Sequence, residues 1–245
     1  MSARATLATM LRVLTQLRRD PRTIGLIILV PALLVTLLRY LFDGQPQVFD
    51  RVGGTMLGIF PFITMFVVTS VTMLRERVTG TLERLMTMPV AKLDILLGYA
   101  FAFVLVAIVQ STVVSLIAFG LLDLHVVGSH LAVVALAVGN ATLGMALGLF
   151  ASAFARTEFQ AVQFMPAIVF PQVLLSGLFV PRADMARWLQ LLSDVLPLTY
   201  AYDALARVTL GLGLGGRFAL DVSVTIGATL LALALGAATL RRRTE

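Results

Sequence analysis

Residues 75–89, RERVTGTLERLMTMP, form a charged stretch between two long apolar runs. Gly80 can end the helix that precedes it, because glycine readily adopts the left-handed conformation found at helix ends. The threonines on either side of Gly80 can cap a new helix, and Pro89 would stop that helix because proline cannot continue it. The stretch therefore predicts a short helix over 81–88 that lies outside a membrane, with membrane-crossing helices on both sides.

The composition of the whole chain supports a membrane protein. Its 245 residues are 59% hydrophobic and 13% charged, with a mean hydropathy of +0.96, whereas ordinary globular domains carry about 25% charged residues. A helix needs about 20 apolar residues to cross a bilayer, and six stretches reach that length. We expect one all-α domain over residues 1–245 with spans at about 24–42, 52–74, 93–122, 131–154, 160–180 and 219–240.

The placement of basic residues predicts the topology. Thirteen Lys and Arg residues fall on one side of this layout, including those of 75–92 and of both termini, and six fall on the other. The positive-inside rule makes the richer side cytoplasmic, so both termini and residues 75–89 are expected in the cytoplasm. The net charge of +6 would suggest a nucleic-acid partner in a soluble protein, but here the arginines set topology and no such partner is expected.

The N-terminal segment before the first span is basic and amphipathic. Its apolar residues recur at helical spacing among several arginines, which is typical of a helix lying on a membrane surface. Asp20 and Pro21 should end this helix, since the residue before a proline disfavours the helical conformation. The apolar positions are Leu7, Met10, Leu11, Leu14 and Leu17.

Several chemistries are excluded or disfavoured by the residues present. A phosphate-binding P-loop needs Gly-Lys, but the only lysine, Lys92, follows an alanine. Residues 211–216 match G-x-G-x-x-G without the strand and helix that a dinucleotide site requires. The chain has no cysteine, and His125 and His130 have too few neighbouring ligands for a metal site. We therefore expect no catalytic residue, cofactor or metal on this chain.

Polar residues inside the predicted spans are few, and none is an Asp or Glu in mid-span. Ion-coupled transporters usually need a buried ionisable group to carry the coupling ion, so that class is disfavoured. The amides inside the spans are instead candidates to line a pathway. They are Gln110, Asn140, Gln163 and Gln172.

Glycines and prolines mark the fourth and fifth spans. Gly144 and Gly148 form a small-xxx-small pair, which lets helices approach closely, and packing within the chain is favoured over a dimer contact. Pro166 and Pro171 should kink the fifth span.

The segment 181–218, on the outer side, is too interrupted to cross the bilayer. Trp188, Pro197 and Tyr200 lie in it among apolar residues at helical spacing. It predicts one or two short helices at the interface, where Trp and Tyr are favoured. They are either re-entrant helices that cap a pathway or parts of an ordinary surface loop.

Residues 75–89 resemble the cytoplasmic element of ABC transporter permeases of the ABC-2 type. LSGLFVP at 175–181 and LPLTYAYDALARV at 196–208 resemble the second signature of that family, and residues 19–22 resemble its usual entry to the first span. The matching positions of the first motif are Glu76, Arg77, Gly80, Thr81, Leu82, Glu83, Leu85 and Pro89.

The resemblance implies a permease that works as a dimer of two copies or paralogues in the bacterial cytoplasmic membrane. Two separate ATPase subunits would bind ATP and Mg, and the short cytoplasmic helix would couple to a cleft on them, with Glu83 facing a basic partner residue and Leu82 and Leu85 in its groove. The sparse aromatic content favours a small hydrophobic drug, lipid or peptide as cargo, as in daunorubicin-type permeases. Polysaccharide, teichoic-acid or lipid-linked glycan export by the same fold and a non-transporting membrane scaffold are the alternatives.

Overall fold

The fold is that of a computed structural model, which describes residues 2–87 and 91–239 except for the side chains of Glu83 and Met86. Pro89 and the arginines at 241–243, both used in the sequence predictions, lie outside the described residues. Every regular element of the described residues is helical, as predicted. The α-helices are α1 Ala3–Arg18, α2 Pro21–Leu41, α3 Pro46–Val78, α4 Thr81–Thr87, α5 Lys92–Gly120, α6 His130–Ala151, α7 Glu158–Phe164, α8 Phe170–Leu175, α9 Arg187–Ser193, α10 Pro197–Leu210 and α11 Gly216–Ala238.

Five of the described helices are long and apolar enough to cross a membrane, namely α2, α3, α5, α6 and α11. They correspond to five of the six predicted spans, which are thereby confirmed by length and composition. The 21 residues of α2 extend about 31 Å at about 1.5 Å per residue, close to the thickness of the hydrocarbon core. Helix α3 is the most buried of the five, whereas α2 and α11 bury only about a fifth of their apolar stretch.

The predicted span at 160–180 is not one regular helix. Helices α7 and α8 are joined by a π-helical turn, Met165–Val169, so that the helical residues run only from 158 to 175. Pro166 and Pro171 lack the amide hydrogens that an α-helix needs, and the Phe170 N–H bonds to the Met165 carbonyl, five residues back. The expected kink is therefore present, as a π-helical turn. The exact six-span layout stays a prediction.

Glycines bring α6 against α3 at the centre of the bundle. A Cβ on Gly144 would lie 2.2 Å from the carbonyl oxygen of Phe62, and one on Gly148 would lie 2.4 Å from that of Phe66. Real Cβ atoms do not approach backbone so closely, so only glycine fits at both positions. The small-xxx-small pair packs within the chain, as predicted.

Helix α1 is docked on another helix instead of lying alone on a surface. Its Thr9 and Val13 are buried, and a Cβ on Gly98 of α5 would come within 2.5 Å of Thr9. The close backbone approach at Gly98 lets α1 run along the first half of α5. The amphipathic face predicted for α1 is therefore used in part to pack against the protein itself.

The segment that follows α8 contains α9 and α10, so the prediction of short helices in it is correct. Helix α10 packs against α3, α6, α8 and α11, and most of its residues are buried, including Leu198, Ala201 and Leu205. The loop between α5 and α6 covers the end of α10, where the N–H of Gly128 donates to the Val208 carbonyl at 3.1 Å. A helix this buried belongs to the bundle and is not an ordinary surface loop.

Candidate functional site

The charged segment, residues 75–87, begins at the end of α3 and reverses the chain direction through Gly80. Gly80 has a φ of +72°, a left-handed conformation that glycine adopts without strain. The Thr79 hydroxyl donates to the Arg75 carbonyl at 2.8 Å, and the Arg84 N–H donates to the Gly80 carbonyl at 3.0 Å. The turn therefore closes α3 and starts α4, as predicted for residues 79–81.

Helix α4 is held against this chain by its own leucines. Leu82 is 3% exposed and belongs to the same apolar cluster as Val13, Met73 and Ile95, and Leu85 is half-buried against that cluster. Within the single chain Leu82 is therefore covered, and its place in a groove of a partner stays a prediction. Leu82 positions α4, whose opposite face carries the exposed Arg84. The predicted contact of Glu83 falls on a side chain outside the described ones.

Glu76 faces inward and joins three helices. Both terminal nitrogens of Arg12 on α1 lie 3.4 Å from the Glu76 carboxylate on α3, and Arg12 also donates to the hydroxyl of Tyr99 on α5. The Arg12 guanidinium stands 5.5 Å from the centre of the Tyr99 ring, within cation–π range. Glu76 is 7% exposed, so its first role is to attach α3 to α1 and α5.

Arg75 makes a second connection from the same end of α3. Its Nε and Nη2 atoms donate to the two oxygens of Glu158 at 2.7 and 3.0 Å, a bidentate pair that links α3 to the start of α7. Both side chains are more than half exposed. The hydrogen bonds from Arg75 hold the pKa of the Glu158 carboxyl below its ordinary value. Movement of the charged segment would thus reach α1, α5 and α7.

Three of the four predicted pathway residues are buried between helices of this chain. Gln110 donates to the Ile27 carbonyl of α2 at 2.9 Å, and Gln172 accepts from the Leu198 N–H of α10 at 3.4 Å. Asn140 packs so tightly on α3 that a Cβ on Gly58 would lie 2.4 Å from its side-chain nitrogen. These amides connect helices and do not face an open channel within the single chain.

Gln163 differs from the other three because it is exposed. It lies on the outward face of α7, the π turn and α8, next to large apolar side chains. An amide is unfavourable against lipid without a partner. Of the four predicted pathway residues, Gln163 is therefore the one that a second protein or cargo could contact. The exposed apolar residues around Gln163 are Phe159, Val162, Phe170 and Leu174.

A second group of charges, the arginine–aspartate cluster, lies at the opposite end of the bundle. Its most buried member is Asp221 of α11, which is 0% exposed and lies 3.2 Å from Arg207 and 3.4 Å from Arg217. Asp203 of α10 lies 3.4 Å from Arg182 and 3.9 Å from Arg217. The cluster consists of Arg182, Asp194, Asp203, Arg207, Arg217 and Asp221.

The cluster was not predicted from the sequence, although one signal was present. Asp221 is an aspartate inside the last apolar run and follows Arg217 by four residues, a spacing that places two side chains on one helix face. Burial, together with the nearby Asp221 carboxylate, raises the pKa of the Asp203 carboxyl above its ordinary value. The cluster connects the 3-10 turn Arg182–Asp184, α9, α10 and α11.

The predicted residues of segment 181–218 lie around this cluster. Trp188 on α9 is 67% exposed, Pro197 is the first residue of α10, and the Tyr200 hydroxyl donates to the Asp194 carbonyl at 2.7 Å. Nearby, a cavity of about 600 Å³ opens between the start of α3 and the segment after α8, with Arg51 and Tyr202 among its lining residues. The loop after α8 and Tyr202 of α10 thus form one wall of this opening.

Comparison with known proteins places these features in a family. Residues 4–210 match the family described as ABC-2 type transporter. The chain is 32% identical over 166 residues to ABC transporter G family member 20 of Dictyostelium discoideum, an alignment that covers 67% of this chain and 23% of that protein.

Two bacterial permeases show similar relationships. The chain is 30% identical over 162 residues to the probable multidrug ABC transporter permease YbhR of Escherichia coli, covering 64% of this chain and 42% of the permease. It is 28% identical over 191 residues to the linearmycin resistance permease protein LnrN of Bacillus subtilis, an alignment that covers 75% of this chain and 49% of that protein. The chain therefore spans less than half the length of each of these relatives.

Proposed function

Since this chain belongs to the ABC-2 type transporter family, we propose that it is a membrane-spanning permease subunit of an ATP-driven exporter. Separate ATPase subunits would bind ATP and Mg and supply the energy. The observation that carries this proposal is the family match over residues 4–210, which includes the charged segment. The similarity to bacterial permeases supports a location in a bacterial cytoplasmic membrane.

The topology that we propose has six crossings, with the broken helix of α7, the π turn and α8 as the fifth. Both termini and the charged segment then lie on the cytoplasmic side, and the arginine–aspartate cluster lies on the outer side. One observation supports this layout: the side that it assigns to the charged segment is the richer in arginine.

The coupling mechanism that we propose starts at α4. Closure of the ATPase subunits would push on α4 and on the end of α3, with Glu83, Arg77 and the Gly80 turn as the contact region. Glu76 and Arg75 would transmit the movement, because they connect α3 to α1, α5 and α7 through side-chain contacts. Packed elements with two discrete arrangements can convert such a push into a change of shape.

The cargo that we propose is a hydrophobic or amphipathic compound, such as a drug, a lipid or a peptide. It would move along the interface of two permease copies, and the open face around Gln163 would be part of that interface. The proline-broken geometry of this face supports the choice, because freed backbone groups are tolerated at membrane depth only where they meet protein or water. The names of the multidrug and linearmycin-resistance relatives also favour such cargo.

The experiment that tests this function is reconstitution of the purified chain with its ATPase subunits in proteoliposomes. We expect ATP hydrolysis to rise with cargo and transport to continue after an uncoupler is added. Transport that survives ATP depletion and collapses with the uncoupler would identify an ion-coupled carrier instead. A chain that copurifies with no ATPase would be a scaffold, and stimulation by lipid-linked glycans alone would support glycan export.

A further inference from the structure

An apolar cavity of about 220 Å³ lies between α1, α2 and α5, next to the arginine-rich end of α1. Leu14, Leu17 and Ile28 are among its walls, and Arg18 is its charged residue. Leu105 and Val109, which also line it, are 40% and 53% exposed. The cavity therefore opens onto the lateral surface of the bundle and is not sealed in the core.

The depth of this cavity can be read from one hydrogen bond. Gln110, which lines it, donates to the carbonyl of Ile27 at 2.9 Å, and Ile27 is six residues from the start of α2 at Pro21. Six residues of helix rise about 9 Å. A cavity that begins at Arg18 and reaches Gln110 therefore matches the boundary between headgroups and acyl chains, where amphipathic helices are buried by about 5–10 Å.

The charged residue of the cavity favours an anion. Arg18 is exposed, and in residues 2–87 and 91–239 it forms no ion pair with a carboxylate. The acid that follows it closely in the chain, Asp20, is engaged as the cap of α2, where it accepts from the N–H and hydroxyl of Thr23. The cavity thus combines an arginine that has no carboxylate partner with an apolar interior.

We propose that this cavity binds one acyl chain of an acidic phospholipid of the cytoplasmic leaflet, with the phosphate at Arg18. The lateral opening favours a lipid chain over cargo: the cavity is smaller than the pockets of about 300–1,000 Å³ that hold drug-sized molecules, but part of an acyl chain can enter it while the rest of the phospholipid stays outside. Anionic lipids are the natural counterions for arginines at the cytoplasmic surface. The bound lipid would fill the gap between α1, which contacts Glu76, and α2.

The test is native mass spectrometry of the full-length chain, purified in mild detergent and supplied with palmitoyl-oleoyl phosphatidylglycerol or with phosphatidylcholine of the same chains. Wild type should retain phosphatidylglycerol preferentially. Arg18→Gln should lower that preference about fivefold, since one arginine near a membrane contributes about 1 kcal/mol. Val109→Trp should fill the cavity and lower retention of both lipids.

Two matched variants serve as controls. Arg4→Gln removes a positive charge from the other end of α1, and Leu230→Trp enlarges an exposed residue of α11; both should retain lipid as wild type does. The proposal is overturned if wild type holds the two lipids equally, or if Arg18→Gln keeps the full preference. It is also overturned if Val109→Trp weakens self-association and leaves lipid retention unchanged, because a second copy of the chain would then cover the cavity.

Discussion

Two groups of charged side chains lie at opposite ends of the helix bundle and differ in burial. At the charged segment, Arg75 and its partner Glu158 on α7 are more than half exposed. Of the charged side chains of this segment that the structure describes, only Glu76 is buried. In the arginine–aspartate cluster, Asp221 is fully buried between two arginines. A buried charge fixes the helices that hold it, because breaking it is costly, whereas exposed pairs exchange with water cheaply. The first end therefore suits the proposed coupling role, and the second end holds α10 and α11 together.

The largest expected effect is the loss of Asp221. Asp221→Ala would leave the partly exposed Arg207 and Arg217 without their buried partner. We expect the free energy of unfolding to fall by about 1.5–3 kcal/mol, the range for hydrogen bonds to charged groups. Denaturant titration in detergent micelles, followed by the fluorescence of Trp188, the only tryptophan, measures it. Asp123→Asn, at an 86% exposed carboxylate, should change little, because asparagine also tolerates the left-handed backbone at this position. An equal loss of unfolding free energy in the two variants would show that the burial of Asp221 does not make its ion pairs more stabilising than those of an exposed carboxylate.

The next effect concerns Arg12 and Glu76 at the other end. A double-mutant cycle with Arg12→Ala and Glu76→Ala should give an interaction energy of about 1 kcal/mol, since the pair is half-buried and shared with Tyr99. The same cycle run on cargo-stimulated ATP hydrolysis should also be non-additive. Strict additivity in both readouts would show that α1 and α3 are not coupled through this pair.

A smaller effect is expected for the exposed pair. Arg75→Ala and Glu158→Ala should show an interaction energy of about 0.5 kcal/mol at low salt, typical of exposed ion pairs. High salt should abolish that energy, because exposed charges are screened. The control is a double-mutant cycle with Asp221→Ala and Arg207→Ala. The interaction energy of that buried pair should be the same at high salt as at low salt. Salt dependence of equal size at both ends would remove the distinction between them.

The smallest effect is a difference in pH dependence between the two ends. The pKa of Asp203 is raised above its ordinary 3.8, so the folded protein binds this proton more tightly and gains stability as the pH falls through that raised pKa. The pKa of Glu158 is lowered from 4.5. Its contribution to the stability of the folded protein is therefore fully present above pH 4.5 and is lost as the pH falls through the lowered pKa.

Thermal melting between pH 7 and pH 4 can separate the two signs. The stability of wild type relative to Asp203→Asn should improve as the pH falls. Its stability relative to Glu158→Gln should begin to decline as the pH drops below 4.5. If the stability of wild type relative to the two variants changed with the same sign, the contrast between the buried Asp203 and the paired surface residue Glu158 would be refuted.

Much of the fold followed from local sequence. Apolar run lengths predicted the five regular spans, glycine spacing predicted close packing of α6 within the chain, and Gly80 predicted the end of α3, because each depends on nearby residues alone. That α6 packs on α3 came only from the structure. Pro166 and Pro171 predicted a break, but the π turn that accommodates them depends on how neighbouring helices pack.

The pairings that join distant helices could not be predicted in this way. Arg12 and Glu76 are 64 residues apart. The spacing of apolar residues along the sequence predicts helices but does not indicate which helices become neighbours. The same reason explains Leu82: its direction depends on how α4 folds back from Gly80 onto Val13 and Ile95. Residues expected to face a partner can therefore be covered by the chain itself, as Leu82 is.

The most direct test of the coupling role is Glu83→Ala in the reconstituted complex of the chain with its ATPase subunits. Cargo-stimulated ATP hydrolysis and cargo transport are measured in the same preparation, with Arg156→Ala as a charge-removal control outside the charged segment. We predict that the Glu83 variant assembles normally but loses at least about 1.4 kcal/mol of coupling, a tenfold fall in both rates, and that the control retains them. Wild-type rates in an assembled Glu83→Ala complex would contradict the coupling role.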